Sequence, residues 1–242
     1  MISGLDLGKD IRPHLQFYES FILMPLALRA EHPLNEKAYF EGSSGIIDET
    51  GSFFEVMLHK LESTYALLGR YEDYEEWPFT DNLPMSERIH SAKNISLHIS
   101  NHGVISQTSK ILKDYFALLR EICPPGDNDQ YGSSSQIDID ALQCIAARVH
   151  CGLYVAEAKY LAKTGSYVPL IQETDRIGLR KLLFNGDVEE TIIQRVRREA
   201  KTLSSMLSLS DSFADEIAKF YKNTIINSTM EVEIAYLLQR NN

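Results

Sequence analysis

Residues 136–160 read QIDIDALQCIAARVHCGLYVAEAKY. A helix advances about 100° per residue, so eleven steps return to within about 20° of the start. Arg148 and Lys159 stand eleven residues apart, and on a helix they share one stripe with Gly152 and Val155. The residues between them are mostly small or apolar, so two cations lie on a face that otherwise reads as core. Spacing alone leaves two readings. One is a pair of snorkelling cations, or a buried salt bridge with Glu157 or another acid. The other is a pocket for a dianion, in which Arg148 forks a carboxylate and Lys159 acts as a compact charge.

The same helical texture extends outward. Ile11, Leu15, Tyr18, Ile22 and Leu26 recur at steps of three and four, predicting a helix over 9–31. Pro13 suits its first turn, and Pro25 should kink or weaken it. Further helices are expected over 52–72, 104–121, about 137–163, 166–172, 175–183, 187–207 and from about 212 to 239. Pro, Gly and Ser mark 32–51 as a loop, and CPPGDNDQYGSSS, 123–135, as another. The last serines, or Asp138, are candidates to cap the long helix, and Gly165 is placed to end it. Residues 73–103 read as loops and short helical turns. No alternating β-strand pattern competes, so the expected fold class is all-α, as one multi-helix domain over 1–242.

The chain has 242 residues and a formal net charge of -10. That balance argues against general nucleic-acid binding, which needs a cationic surface, while a local cationic pocket can still take a small anion. No run of 18 apolar residues reads as a membrane span. MISGLDLGKDIRPH lacks the apolar core of a signal peptide, so the expected compartment is the cytoplasm, with secretion as the alternative. Cys123, Cys144 and Cys151 show no zinc spacing, and the last two read as buried thiols of a reduced protein.

Three other segments resemble the opening one in texture. Asn185 and Glu189 in FNGDVEET are four apart, as are Thr229 and Glu233 in NSTMEVEIAYLL. Arg12 and Glu19 are seven apart on the first helix. Taken singly, Asn185 reads as a cap, Glu233 as a solvated charge, and Arg12 with Glu19 as a surface pair. His150 reads as a packed helix histidine. GxSxG, HExxH, Walker and GxGxxG motifs are absent, and the histidines form no metal spacing. Chemistry here is expected to rest on charge and hydrogen bonds.

These residues resemble the all-helical chorismate mutases of yeast and plants. The stretch 136–160 is similar to the family's D-x-x-C-L-Q-x-L-S-x-R-I-H-[FY]-G-K-F-V-A-E-A-K-F. TMEVEIAYLLQR, 229–240, resembles T-K-E-V-[EQ]-V-E-Y-L-L-R-R, and NDQYGSSS fits N-[FY]-G-S. FNGDVEETIIQRV, 184–196, continues the match, and IRPHLQFYESFI, 11–22, resembles I-R-x-x-L-[IV]-R-x-E-D-S-I-I more loosely. The resemblance implies rearrangement of chorismate to prephenate, without cofactor or metal, by a helical homodimer. It implies that Arg12 and Arg148 bind the substrate's carboxylates. Lys159 and a protonated Glu233 would meet the ether oxygen. Asn185 and Glu189 would hold the hydroxyl and carboxylate side, with Thr229 in the pocket wall. Glu19 and Arg195 would orient Arg148.

The chain departs from the pattern elsewhere. R-x-E-D becomes Phe17, Tyr18, Glu19 and Ser20, so a basic residue is lost. Yeast-type enzymes bind tyrosine or tryptophan between subunits, through a Gly-Ser pair and two arginines. Gly132 and Ser133 remain, but the arginine pair reads Gly69 and Arg70, and Phe213 falls where a regulatory threonine would sit. Arg70, Gly132 and Ser133 are therefore an allosteric remnant, and weak or absent feedback is expected. An unregulated mutase suits a housekeeping isoform or a secreted effector. The alternative function is a catalytically idle interaction module, with the loops 32–51 and 73–103 offered to a foreign protein.

Overall fold

The computed structural model describes residues 6–89, 97, 99 and 102–241. Asp6 accepts hydrogen bonds from the Gly8 and Lys9 amides, both 2.8 Å, and caps a π-helical turn over Leu7–Ile11. Helix α1, Arg12–Glu31, follows with proline in its first turn, where the missing N–H costs nothing. Pro25 does not end it: Ile22, Leu23 and Leu26 are all buried and pin both sides. Helix α2, Phe53–Leu67, opens with a reciprocal capping box between Ser52 and Glu55. It stops five residues before the expected 72, because Gly69 adopts φ +81°, the left-handed geometry that glycine takes at a helix C-terminus.

Helix α3 spans Thr108–Ile122, and α4 spans Tyr131–His150. The loop expected up to 135 thus yields its last five residues to α4. The serines are absorbed because Ser134 and Ser135 are buried, and Ser134 Oγ accepts from Asn35 Nδ2 at 3.3 Å. Asp138 caps nothing. It is buried in mid-helix, paired with Arg29 Nε at 2.8 Å, while the Tyr115 hydroxyl (2.8 Å) and the Tyr39 hydroxyl (2.5 Å) donate to it. Arg29 also donates to the carbonyls of Pro33 at 3.0 Å and Leu34 at 2.8 Å, so the pair ties α1, α3, α4 and the connection after α1 together.

The expected helix over about 137–163 is two helices, α4 and α5, Gly152–Ala162, meeting at Cys151. The Cys151 amide still donates to the Ala147 carbonyl at 2.9 Å, so the junction is a bend and not a break. Gly165 does not end α5. That break falls at Lys163, and Gly165 lies in the first turn of α6, Thr164–Gln172. Helices α7, Arg176–Leu183, and α8, Gly186–Leu207, follow. The last expected helix is α9, Phe213–Phe220, a π-helical stretch Tyr221–Ile226, and α10, Asn227–Leu238. No strand occurs among the described residues, and the fold is all-α.

Between Ala141 and His150 every residue of α4 is buried except half-buried Cys144, where a fully buried thiol was expected. A helix apolar and buried all round belongs at the centre. α4 packs on α1, α3 and α10, and α5 packs along α10. His150 is fully buried between its neighbours: its Nδ1 pairs with the Ala146 carbonyl at 2.8 Å, Nε2 accepts from the Gln107 amide at 3.2 Å, and Trp77 stacks on the ring at 4.6 Å. Burial holds its pKa down at about 3, so it stays neutral.

Removing one member of a buried ion pair strands the other, at a cost of about 3–5 kcal/mol. Asp138→Ala should therefore lower unfolding stability by about that amount. Urea denaturation followed by circular dichroism measures it, and a loss under about 1 kcal/mol would show that the network is dispensable.

Candidate active site

Helix α1, the α4–α5 pair, α8 and α10 converge on one cavity of about 840 Å³. It is lined by Arg12, Glu19, Arg148, Lys159, Asn185, Glu189, Arg195, Thr229 and Glu233. Every residue that the sequence nominated for substrate or its support thus borders a single space. Arg70, Gly132 and Ser133 do not line it.

Arg148 is 3% exposed, and its Nε and Nη1 have no hydrogen-bond partner among the described residues. The salt-bridge reading of Arg148 with Glu157 fails, because Glu157 accepts from the Tyr236 hydroxyl at 2.6 Å and is paired with Arg240. Lys159 does have an acid partner: its Nζ is 2.8 Å from Glu233 Oε2 and donates to the Leu183 carbonyl at 3.2 Å. Burial pushes the Glu233 carboxyl above the ordinary glutamate range, against the opposing pull of Lys159 and Arg148. Glu233 is therefore no solvated charge. Burial also raises Glu189, against Lys159, Lys222 and Arg180.

Local structure explains each placement. The turn over Leu7–Ile11 buries Ile11 against Val155 and Ala158 of α5, which brings exposed Arg12 to the cavity edge. Glu19 does not pair with Arg12. It is buried and takes a two-point bond from Arg195, Nε–Oε2 and Nη2–Oε1 both 2.6 Å, which fastens α8 to α1. Asn185 caps α8, its Oδ1 accepting from the Val188 amide at 3.2 Å, so cap and cavity position coincide. The Thr229 hydroxyl donates to the Ile225 carbonyl at 2.8 Å.

Gly152 packs against α10. A Cβ there would meet the Thr229 carbonyl at 2.9 Å and Val232 Cγ1 at 3.2 Å. The glycine lets two helices that carry cavity residues bring their backbones together at Thr229.

Sequence reasoning missed two neighbours of this site. The Leu183 carbonyl on Lys159 is a backbone group with no signature in a sequence. Tyr221, fully buried and within the electrostatic reach of Arg148, Glu19 and Arg195, has a hydroxyl with no partner among the described residues. Its signal was its place in line, two helical turns before Thr229.

Taken together, the cavity offers one buried arginine with free donors, a lysine, a buried carboxyl of raised pKa and an arginine at the rim. That arrangement can bind a small dianion and place a cation and a carboxyl against one oxygen. The chorismate mutase of Schizosaccharomyces pombe is 37% identical over 242 residues, covering 96% of this chain and 95% of that protein. The chain belongs to the chorismate mutase family. Chorismate mutase 2 of Petunia hybrida is 34% identical, covering 98% of this chain and 93% of its own length. The crystal structure of the chloroplast chorismate mutase of Zea mays superposes with a TM-score of 0.88 at 31% identity, covering 99% of this chain and 97% of that one. The Candida albicans chorismate mutase, solved in complex with L-Trp, gives a TM-score of 0.86 at 32% identity, covering 98% and 92%. No protein-family model matches the chain. No helix among the described residues is long and apolar enough to cross a membrane.

Proposed function

We propose that the chain catalyses the rearrangement of chorismate to prephenate in this cavity. The observation that carries the reading is Arg148: a buried guanidinium with two unpaired nitrogens, beside Lys159 in the same space. A buried, unsatisfied cation is costly unless an anion meets it.

The reaction is unimolecular: a carbon–oxygen bond of the enol ether breaks as a carbon–carbon bond forms within one molecule. The catalyst must hold a flexible dianion in a chair-like geometry and stabilise charge growing on the ether oxygen. Arg148 and Arg12 grip the carboxylates, and Asn185 and Glu189 hold the hydroxyl and carboxylate side. Thr229 walls the pocket, and the Glu19–Arg195 pair keeps Arg148 aimed. Lys159 donates to the ether oxygen, and Glu233 donates a second hydrogen bond while protonated. Burial of Glu233 favours that form, as does the arrival of an anionic substrate.

Removing one preorganised donor costs about 10²–10³ in rate. Arg148→Ala and Lys159→Ala should each lose at least about 10²-fold in prephenate formation, with unchanged far-ultraviolet circular dichroism. Near-wild-type turnover in either variant would sink the assignment.

The Glu233 carboxyl donates only when protonated, so activity should be present below its raised pKa and fall as pH climbs through it. Glu233→Gln keeps a donor at every pH. A pH–rate profile that is flattened in this variant supports the role, and an unaltered fall would exclude it.

Tyrosine and tryptophan have little effect in this reading. Gly69, at one place of the regulatory arginine pair, is committed to ending α2 at φ +81°. Arg70 donates to Glu76 Oε2 at 3.0 Å and lies over the Tyr65 ring, 4.8 Å from its centroid. Phe213 is 1% exposed and serves the core. Gly132 and Ser133 remain exposed in the first turn of α4. Titrating either amino acid against initial rate should leave it within about twofold; a several-fold change would restore allostery.

The assembly is a homodimer, as the family resemblance implies, and the chain is one domain over 1–242. A core that runs from Ile22 to Leu237 supports the single domain. The compartment is the cytoplasm, in keeping with three free cysteines.

A further inference from the structure

Phe184 and Val188 line the cavity, yet they are 58% and 38% exposed. Among the described residues they are the large apolar side chains of its lining that stand exposed. An apolar side chain alone on a surface needs no explanation. These two sit beside polar groups that the proposed reaction uses. Phe184, Asn185, Gly186, Asp187, Val188 and Glu189 follow one another, so two pairs interleave, each four residues apart. Four steps return to nearly the same side of a helix. The start of α8 therefore offers an apolar edge, Phe184 and Val188, next to a polar one, Asn185 and Glu189.

The backbone under Phe184 is held from both sides. Its amide donates to the Arg180 carbonyl at 3.0 Å and closes α7. The Leu183 carbonyl before it accepts from Lys159 Nζ at 3.2 Å. Asn185 after it caps α8 through the Val188 amide. The ring lies across Gly186, where an added Cβ would meet Phe184 Cζ at 3.3 Å. A backbone fixed at three points thus carries a largely bare ring at the border of the cavity. The Lys159 and Asn185 contacts set its place relative to the groups that hold the substrate.

We propose that Phe184 and Val188 seat the carbocyclic ring of chorismate, as an apolar edge that meets the face of the six-membered ring. Such a contact presupposes the reaction proposed above and adds two residues to its site. Polarity assigns the occupant. In that reaction Arg148 and Arg12 take the carboxylates, Asn185 and Glu189 the hydroxyl and carboxylate side, and Lys159 and Glu233 the ether oxygen. What is left unmatched is the unsaturated ring, an apolar surface on a dianion. Exposed apolar surface on the protein is its complement, because pressing the two together takes both out of water. The ring keeps its face from ground state to transition state. The contact therefore strengthens binding without favouring the reacting geometry.

Steady-state kinetics on chorismate test this, with wild type beside Phe184→Ala, Phe184→Leu and Val188→Thr. One buried methylene is worth about fourfold in a binding equilibrium. Phe184→Ala should raise KM by at least about fivefold and leave kcat within about twofold, the mark of lost uniform binding. Phe184→Leu should recover most of that loss. Val188→Thr keeps the shape and the Asn185 cap but brings in a hydroxyl, and it should raise KM about twofold or more. A KM for Phe184→Ala within about twofold of wild type would overturn the contact. A fall in kcat with KM unmoved would also overturn it, and would make the ring a prop for Asn185. Calorimetry of prephenate binding gives a second readout, since the product also carries a six-membered carbocycle. Burying apolar surface makes the heat-capacity change of binding negative. That change should be smaller in magnitude for Phe184→Ala, and an unaltered value would overturn the seat. A wild-type chain that leaves chorismate intact would overturn the proposed function and this contact together. Wild-type turnover with an unmoved KM in Phe184→Ala would overturn the contact alone.

Discussion

A guanidinium buried on the central helix with two unpaired nitrogens is the constraint on which this structure turns. Water is excluded from Arg148, and no acid of the chain reaches those two nitrogens among the described residues. In an interior of low polarity an unmet cation is expensive, so the surrounding fold must hold it in place against collapse onto a neighbouring carboxylate. The fold does so by occupying the nearby acids. Glu157 is taken by Tyr236 and Arg240, Glu19 by Arg195, and Glu233 by Lys159. Arg148 lines the cavity, and two of its buried donors are taken up by no residue among those described. In the proposed reaction this is preorganisation: the charge would be in place before the substrate arrives, with little reorganisation left for the transition state.

The rest of the architecture follows from keeping that charge fixed. α4 must be central, and it is held there by the buried Arg29–Asp138 pair at one end and by His150, wedged between Trp77 and the start of α3, at the other. Gly152 lets α5 close on α10, which brings Lys159 within 2.8 Å of Glu233. The two-point Glu19–Arg195 bond closes α8 over α1. Each of these is a contact between residues far apart in sequence, and each positions a cavity residue as well as stabilising the core.

That division explains what could be read from the sequence. The all-α class and the helices 9–31 and 187–207 follow from local spacing and lie within a few residues of their observed bounds. The cavity set was legible because its members sit in short segments of family-like texture, although spacing alone favoured bland readings for each pair. What failed was what local pattern cannot encode. Asp138 looked like a cap because its partner is 109 residues away at Arg29. The serines after Tyr131 looked like loop because burial against Asn35 is not visible from turn chemistry. Gly165 looked like a helix end, while the chain ends α5 two residues earlier. Glu157 looked like the partner of Arg148, because proximity in sequence stood in for the Tyr236 and Arg240 that occupy it.

The central claim is that this cavity performs the rearrangement with its own charges and nothing else. Chorismate consumption by the purified wild-type chain, followed by ultraviolet absorbance with a chelator present and no added cofactor, tests it most directly. The account predicts steady enzymatic turnover with prephenate as the sole product. Chorismate loss no faster than in the buffer alone would contradict it.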